Sequence, residues 1–440
     1  MKIQEAPLIK RCEKSRVAPA LSLLIALCLA DPVWGGNGLN MIGYGTESVT
    51  MGGADVAVAR DTSALNTNPA GLIQIPGGQV ELNSTAAFAL DVRHTDALGN
   101  DEQVANNPVG GAELGYAQPM ISQPIVFGIG LFAQGGAGYE YRDLATPFGT
   151  RDDFSSLFRI AKLDMGAALK INPSLSIGAS LALFYADLNQ KIFPNTSFYN
   201  SAALQQSFYG YELDGTQAVE FGYKLGAMWK ASDRLTLGVA YTGKTSLDMD
   251  GGRYISDLTA AGVGKVTYRD VHVSGLNLPQ DLAIGAAVQA NPALLVSVEA
   301  KWIDWSSALT TSTLTVANPD NPSAPAVQSL TSTMNWRDQV VLALGIAYQA
   351  TDKLIFRAGY NYGRNPIPAS NLNPLLAAIA QHTVTAGAGY HPAAKWQIDG
   401  GVEYSPKETV RYTNPSLPFG PNAQETNEVL AIHFRLAYLI

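Results

Sequence analysis

Hydrophobic and polar residues alternate with a period of two along most of the chain after residue 78. In residues 175–185 the odd positions hold mainly large apolar side chains, whereas the even positions hold mostly Ser, Gly and Ala. Residues 340–348 and 430–440 repeat this two-faced pattern. Because successive side chains of a strand point to opposite faces, the pattern predicts β-strands with one strongly apolar face. Fourteen strands are predicted, at 79–93, 111–119, 124–134, 158–171, 174–190, 219–231, 234–246, 278–290, 293–305, 335–350, 353–363, 381–392, 394–405 and 426–440.

The connections between these strands alternate strictly in length, so that all long loops lie at one end. The short ones contain Gln118-Pro119, Asn172-Pro173, Ser232-Asp233, Asn291-Pro292, Thr351-Asp352 and His391-Pro392. The long ones lie at 94–110, 135–157, 191–218, 247–277, 306–334, 364–380 and 406–425. An even strand number with short turns on one side is typical of outer-membrane barrels, which close because lipid cannot satisfy free backbone groups. We therefore predict an all-β fold, a 14-stranded antiparallel transmembrane β-barrel over residues 78–440. The alternative, a soluble sandwich or propeller, would not sort its loops by length.

Charged residues fall on the strand face opposite the apolar one. A Lys or Arg facing lipid at mid-bilayer would cost about 2–4 kcal/mol, so these side chains are predicted to face the lumen. Three roles are open for them: binding the carboxylate of a ligand in the lumen, pairing with lumen acids, or holding a segment of the chain inside the lumen. The principal lumen charges are Lys162, Lys224, Glu299, Arg357 and Arg435.

The N-terminus has the features of a secretory signal peptide, assigned to residues 1–36. Four Lys and Arg residues at positions 10–16 precede an apolar run at 17–30, which is shorter than the roughly 20 residues a membrane helix needs. Cleavage after Ala30 or after Gly35 fits equally. Cys12 and Cys28 are the two cysteines, and both lie in this leader. Charged residues are 15% of the chain, and the sequence pI near 5.2 argues against a nucleic-acid partner.

Residues 37–77, between this leader and the first strand, have a different character. Residues 43–72 are rich in small side chains and show neither a helical stripe nor strand alternation. They end in Asn68-Pro69-Ala70-Gly71, residue types that favour turns. We predict that residues 37–77 form a hatch, or plug, inside the lumen of the barrel.

Several motifs resemble those of the FadL-type family of outer-membrane transporters. In the hatch, Gly53-Ala54 and Ser63-Ala64-Leu65 lead into the hatch motif Asn68, Pro69, Ala70 and Gly71. Further similar stretches are Gly275 to Pro279, Lys301 to Ser306, Trp336 to Asp338 and Phe356 to Tyr360. The resemblance implies the outer membrane of a Gram-negative bacterium and passive uptake of long-chain fatty acids or aromatic hydrocarbons. It further implies capture by outer loops, gating by the hatch and lateral release into the membrane.

The same resemblance suggests two further sites. Gly135 and Gly136 follow the third predicted strand and are the candidate lateral gate, since the family has a kink in that strand; an ordinary loop entrance is the alternative. The loop 191–218 is the candidate ligand-capture loop, and packing of that loop on itself is the alternative. Its aromatic residues are Phe193, Phe198, Tyr199, Phe208 and Tyr209. Burying a 16-carbon tail there would release on the order of 12 kcal/mol before ordering costs.

The sequence gives little support for a catalytic function. The five histidines lack metal-binding spacing, no Gly-x-Ser-x-Gly elbow occurs, and we expect neither an enzyme nor a cofactor. A barrel-wall esterase using His433 and an adhesive, structural or porin-like barrel are the alternatives. The expected partners are a hydrophobic small-molecule ligand and outer-membrane lipid, with the protein a monomer. Fatty acid and aromatic hydrocarbon cargo both remain open, because unpatterned apolar surface recognises either.

Overall fold

A computed structural model describes residues 36–440. The predicted signal peptide, apart from Gly36, and both cysteines lie outside the described residues. Fourteen long strands form the wall of the molecule and are labelled β1 to β14 here. Their bounds are Gln79–Ala89, Val109–Pro119, Ile125–Ala145, Arg151–Asn172, Leu175–Phe198, Phe208–Lys230, Leu235–Thr242, Asp281–Asn291, Leu294–Ile303, Gln339–Thr351, Leu354–Gly363, His382–Ala393, Trp396–Tyr412 and Ala423–Leu439.

The wall closes into a ring. Every wall strand pairs antiparallel with the next one along the chain, and β1 pairs with β14, with Gln79 opposite Leu439 and Ala89 opposite Val429. The predicted 14-stranded antiparallel barrel is therefore confirmed. Shorter strands extend the sheet into the loops at Arg93–Thr95, Asp101–Gln103, Met249–Asp250, Arg253–Leu258, Gly264–Ser274, Thr311–Pro319 and Val327–Thr333.

Helical structure is confined to short pieces within residues 36–440. They are Thr46–Thr50, Thr62–Leu65, Pro69–Gln74, Leu204–Gln206, Thr259–Ala261, Trp305–Ala308 and Pro374–Leu376. No helix in this part of the chain is long and apolar enough to cross a membrane.

The side chains of the wall alternate as the sequence pattern predicts. Leu181 and Phe221 point outward and are 67% and 80% exposed, whereas His433 and Arg435 point inward and are 3% and 2% exposed. An apolar outer face and a polar inner face suit a barrel whose surroundings are lipid.

The predicted loop lengths are wrong on one side of the barrel. β3, β4, β5 and β6 contain 21, 22, 24 and 23 residues, about twice the 9–11 needed to cross a bilayer. Most of the predicted loops 135–157 and 191–218 are therefore strand. Above the membrane both faces of a strand meet water or other loops, so backbone pairing continues there without the two-faced pattern that marks a strand in the sequence.

The N-terminal segment, residues 37–77, contacts inward-facing positions on opposite sides of the ring. Wall glycines make room for it: a Cβ added at Gly178 on β5, Gly238 on β7 or Gly359 on β11 would clash with the backbone of the segment. Most side chains of the segment are buried, including Leu65 and Leu72. The segment is therefore in close contact with inward-facing positions of several wall strands.

Candidate functional site

Polar side chains of the wall satisfy the backbone of the N-terminal segment, which has little regular structure of its own. Glu299 accepts hydrogen bonds from the amides of Asp55 at 3.0 Å and Val56 at 2.9 Å. Glu81 accepts from Thr62 N at 3.0 Å. Comparable bonds join Glu113 to Gly45 N, Asn83 to Thr46 N, Asn361 to Gly52 O and Thr385 to Thr50 O. Because buried backbone groups need partners, these side chains fix the path of the segment.

The hatch motif forms a turn that begins a short 3₁₀ helix. Asn68 caps the 3₁₀ helix Pro69–Gln74 by accepting a bond from Ala70 N, while its amide donates to Val56 O at 2.7 Å and to Ala227 O at 3.2 Å. Pro69 occupies the first helical position, where its missing N–H costs nothing. A Cβ at Gly71 would clash with Ala59. The four residues thus join the turn to both the segment and the wall.

Two of the predicted lumen charges, Lys162 and Lys224, border a narrow cavity of about 50 Å³ between the segment and the wall. Lys162 pairs with Asp164 at 2.7 Å and donates to Asn66 Oδ1 at 2.9 Å. Lys224 lies 4.0 Å from Asp281. Both ammonium groups therefore already have partners on the wall or on the segment.

The other two cations belong to an ion-pair network toward the end with the short turns. Asp399 accepts from Arg357 and from Arg435, each at 2.7 Å. Arg435 also binds Glu81, at 3.1 Å. Arg357 lies 3.5 Å from Glu47, and Glu47 in turn pairs with Arg60 of the segment. Of the roles left open by the sequence, pairing with lumen acids and holding the segment are the ones that these contacts display.

Gly135 and Gly136 lie within β3 and not after its end, which corrects the predicted end of that strand at residue 134. The β3–β4 register shifts between Ala133 and Gly135, so Gln134 is the extra residue of a β-bulge. Both glycines have positive φ, 149° and 136°, which favours Gly. The pattern of small residues marked an irregularity in the strand, and pairing with β4 resumes beyond it.

The N-terminal segment holds this bulge. Gly136 N donates to Leu39 O at 3.3 Å, and Tyr44 Oη donates to Gln134 O at 2.9 Å. Asn66 Nδ2 donates to Gln134 Oε1 at 2.8 Å. The irregular part of β3 is thus bound by Leu39 and Tyr44, near the start of the segment, and by Asn66.

The ladder between β2 and β3 is incomplete beside the bulge. Its first pair is Pro119 with Val126, and its last pair is Leu114 with Leu131. In the described chain, residues 109–113 of β2 pair with β1 only. Beyond that point the strands are bridged by Asn106, which donates to Gly138 O at 3.1 Å and accepts from Glu140 N at 3.1 Å. We call the unpaired interval between the Leu114 and Leu131 pair and the bridging residue Asn106 the lateral gap.

The outer ends of the long strands surround a partly open cavity of about 870 Å³, which we call the outer cavity. Its walls are built from apolar side chains of β4, β5 and β6 and of the loops that follow β7, β9, β11 and β13. The large apolar and aromatic members are Phe154, Phe158, Leu188, Ile192, Phe208, Tyr209, Tyr211, Leu213, Tyr254, Leu258, Leu276, Leu314, Leu330, Met334, Trp336, Ile367, Leu375, Leu376 and Leu417. A cavity of this size and composition can bury a hydrophobic ligand.

The predicted capture residues divide between the cavity and its surroundings. Phe208 and Tyr209 line the outer cavity. Phe193 is fully buried and packs 5.1 Å from the Phe154 ring. Phe198 and Tyr199 are exposed, and neither belongs to the lining. Phe193 also lies 6.1 Å from Phe208, ring centroid to ring centroid, so the loop packs partly on itself, the alternative considered above, and partly faces the cavity.

Sequence reasoning missed the lining residues contributed by the other loops. Leu375, Leu376 and Ile367 come from the loop after β11, and Leu314 and Trp336 from the loop after β9. An apolar run such as residues 375–380 is unexpected in an exposed loop, and that composition is the signal that could have pointed to the cavity.

His433 has a hydroxyl and a carboxylate as partners inside the barrel. Thr85 Oγ1 lies 2.9 Å from its Nδ1, and Glu403 Oε2 lies 3.1 Å from its Nε2. None of these three residues lines the outer cavity. The described chain also contains no cluster of His, Cys, Asp and Glu that could hold a metal ion.

A second histidine stabilises the loops at the outer end. His94 is fully buried, with Glu425 at 2.5 Å from Nδ1 and Asp96 at 3.3 Å from Nε2. Burial works against the charged ring, but hydrogen bonds to the two carboxylates outweigh it and raise the pKa of His94 to about 9. The imidazolium therefore joins the first outer loop to the start of β14.

A closed antiparallel ring of 14 strands with an apolar outer face and a polar inner face is the architecture of an outer-membrane β-barrel. The chain matches the family described as outer membrane protein transport protein (OMPP1/FadL/TodX) over residues 37–438. It belongs to this family and is an outer-membrane protein of the Gram-negative type.

Individual relatives are distant in sequence but similar in fold. Outer membrane protein P1 of Haemophilus influenzae is 23% identical over 81% of this chain and 83% of its own length. The Ralstonia pickettii toluene transporter TbuX has a TM-score of 0.73 at 21% identity, covering 91% of this chain and 99% of its own. A Pseudomonas aeruginosa FadL homologue gives 0.71 at 18% identity, covering 91% and 99%. These structural likenesses establish the shared barrel fold.

Proposed function

We propose that this protein is a passive channel for hydrophobic small molecules, which are captured in the outer cavity and released sideways into the membrane. The observation that carries the proposal is the outer cavity of about 870 Å³ with its apolar lining. The description of TbuX as a toluene transporter supports cargo of this kind. The role needs no catalytic step and no cofactor, and one closed barrel suffices for it.

The N-terminal segment acts as the hatch in this proposal. Its middle and end are held by buried bonds to Glu299, Glu81 and Asn361. Its first residues contact the bulge of β3 through Leu39 and Tyr44. Cargo leaving the outer cavity has to displace these first residues to reach the lateral gap, while the rest of the hatch keeps the lumen closed to polar solutes.

Release through the wall follows from the chemistry of the cargo. An apolar molecule that entered the aqueous space beyond the barrel would lose roughly 0.8 kcal/mol per exposed methylene. The lateral gap offers a path from the lumen to lipid without that cost. Outer-membrane lipid is therefore the partner that receives the cargo.

Uptake in living cells tests the proposal. In a strain whose outer membrane limits entry, deletion of the protein should slow uptake of radiolabelled hydrophobic compounds, and the restored gene should recover it. Liposomes containing the purified protein should not swell in sugars, which separates a hatch-closed channel from a general porin. Unchanged uptake in the deletion strain contradicts the proposed function.

Cross-linking tests the lateral exit separately. If the ladder continued past Leu114–Leu131, Ala112 would face Ala133. Joining cysteines at these two positions with a short bifunctional thiol reagent should block uptake without weakening ligand binding. The matched control joins Tyr116 to Ile129, which are already paired, and should have no effect. Equal uptake by both cross-linked proteins would rule out release through the lateral gap.

A further inference from the structure

Charge is missing from the lining of the outer cavity. Of the described residues that line it, none is Asp, Glu, Lys, Arg or His. The rest of the inner surface is rich in ionisable groups, including Lys162, Arg357 and Arg435. The absence of charged side chains therefore distinguishes the lining of the outer cavity from the rest of the inner surface.

The polar atoms of the lining are mostly engaged by the protein itself. Asn373 Oδ1 accepts from Leu375 N, and Asn414 Nδ2 donates to Leu372 O. Asn371 Nδ2 donates to Thr333 O, and Gln328 Nε2 donates to the Tyr268 hydroxyl. These amides support the loops, so a ligand in the cavity meets apolar surface together with hydroxyl groups such as those of Ser312 and Ser332.

Such a lining discriminates by charge. A hydroxyl, ether or ester group of a ligand can exchange its water for a serine hydroxyl, whereas an anion would lose its hydration without gaining a cation. Burial in apolar surroundings commonly raises a carboxyl pKa by roughly 2 units or more, which corresponds to at least about 100-fold weaker binding of the ionised form.

The lumen cations do not remove this penalty. Lys162 is bound to Asp164, Arg357 to Asp399 and Arg435 to Glu81. None of them lines the outer cavity. A carboxylate could reach them only after leaving the cavity and breaking existing ion pairs.

The size of the cavity adds a second restriction. A cavity of about 150 Å³ holds one benzene ring, and the outer cavity, at about 870 Å³, is several times larger. A single ring would contact only part of the lining, whereas a long chain or a molecule of several rings would contact much more of it.

We propose that the outer cavity selects uncharged hydrophobic molecules with a body larger than a single aromatic ring, and excludes anions such as ionised fatty acids. This inference rests on the proposed function, because it names the cargo of the same capture site. It also separates two kinds of cargo that the sequence left equivalent.

The test compares two radiolabelled probes with the same 16-carbon chain, hexadecan-1-ol and hexadecane-1-sulfonate, which is ionised at any working pH. Binding to the purified full-length protein is measured in one detergent, with the partitioning of each probe into protein-free micelles subtracted. The alcohol should bind at least about 100-fold more tightly than the sulfonate, and equimolar toluene should displace little of it. Equal binding of both probes overturns the charge selectivity but leaves the proposed function intact. Binding of neither probe overturns the capture step itself, and complete displacement by toluene overturns the size preference.

Two lysine variants locate the binding. Ser312 lines the outer cavity, whereas the neighbouring Thr311 is exposed and does not. Ser312→Lys should raise sulfonate affinity at least about tenfold by supplying a cation. Thr311→Lys adds the same charge on the other face of the strand and should leave both affinities unchanged, so it controls for folding and for net charge. If Ser312→Lys binds the sulfonate no better than Thr311→Lys does, the cavity is not the selective site and the inference is wrong.

Discussion

Replacing Glu299 by alanine should loosen the middle of the hatch while leaving the barrel intact. The Glu299 carboxylate is buried and accepts hydrogen bonds from the amides of Asp55 and Val56, at 3.0 and 2.9 Å. Alanine provides no acceptor, so the two amides lose the partner that the wall supplies, and Lys301, 3.3 Å from the carboxylate, loses its ion pair. The wall strand itself is unaffected because β9 remains paired with both neighbours.

The expected loss of stability follows from the two backbone amides that no longer have a hydrogen-bond acceptor. Each buried group that loses its partner costs about 1–3 kcal/mol, so the Glu299→Ala substitution should destabilise this part of the hatch by about 2–6 kcal/mol. At the lower figure, the population of locally open hatch should rise by about 30-fold.

Amide hydrogen exchange and solute permeability measure this change independently. Exchange at residues 55–58 should accelerate by at least about 30-fold, whereas exchange in the wall strands should stay as it was. Liposomes carrying the Glu299→Ala protein should become permeable to small sugars. Glu299→Gln is the matched control, because the amide oxygen can still accept both bonds, and it should behave much more like the original protein.

The result that would refute this reasoning is specific. If Glu299→Ala changes neither exchange at residues 55–58 nor sugar permeability, these hydrogen bonds do not hold the hatch. Faster exchange throughout the wall would instead show that the substitution acts on the barrel as a whole.

Three further predictions concern packing, capture and pH. Gly359→Ala should displace the hatch and admit sugars in the swelling assay, because its Cβ would clash with the Gly52 backbone, whereas Gly400→Ala, which has room for a Cβ, should remain closed. Phe208→Ala should weaken hexadecan-1-ol binding by about tenfold through lost apolar contact, while Phe221→Ala on the lipid-facing side should not change it; equal loss in both would place the binding outside the cavity. The raised pKa of His94 should stabilise the outer loops by about 3 kcal/mol below pH 6.5, and this contribution should disappear as the pH rises through about 9. Protease cleavage near residues 91–103 should therefore increase between pH 8 and 10, and an unchanged cleavage rate would contradict the role of the histidine.

The membrane-spanning part of the wall could be predicted because lipid imposes a simple rule on it. Each spanning strand has to face hydrocarbon on one side, and this requirement produces the alternation seen around Leu181 and Phe434. The tight turns at Asn172-Pro173 and Asn291-Pro292 mark the opposite end with equal clarity. Strand number, closure and the inward direction of Arg435 and His433 all follow from these local signals.

The outer half of the molecule could not be predicted in the same way. There the strands extend into water, so neither face has to be apolar, and β3 to β6 continue well beyond their predicted ends. Gly135 and Gly136 marked an irregularity in β3, but only the register with β4 shows that the strand resumes beyond them.

The sequence by itself determined that this chain forms an outer-membrane barrel, where its spanning strands lie and which side chains point inward. Only the tertiary structure decided what the inward groups bind: Glu299 binds the backbone of the N-terminal segment, Arg357 and Arg435 share Asp399, and residues from several distant loops meet around one uncharged cavity. The physical reason is the range of the forces involved. The lipid surroundings act on each strand separately, whereas a cavity and an ion-pair network exist only once segments far apart in the chain have been brought together by closure of the ring.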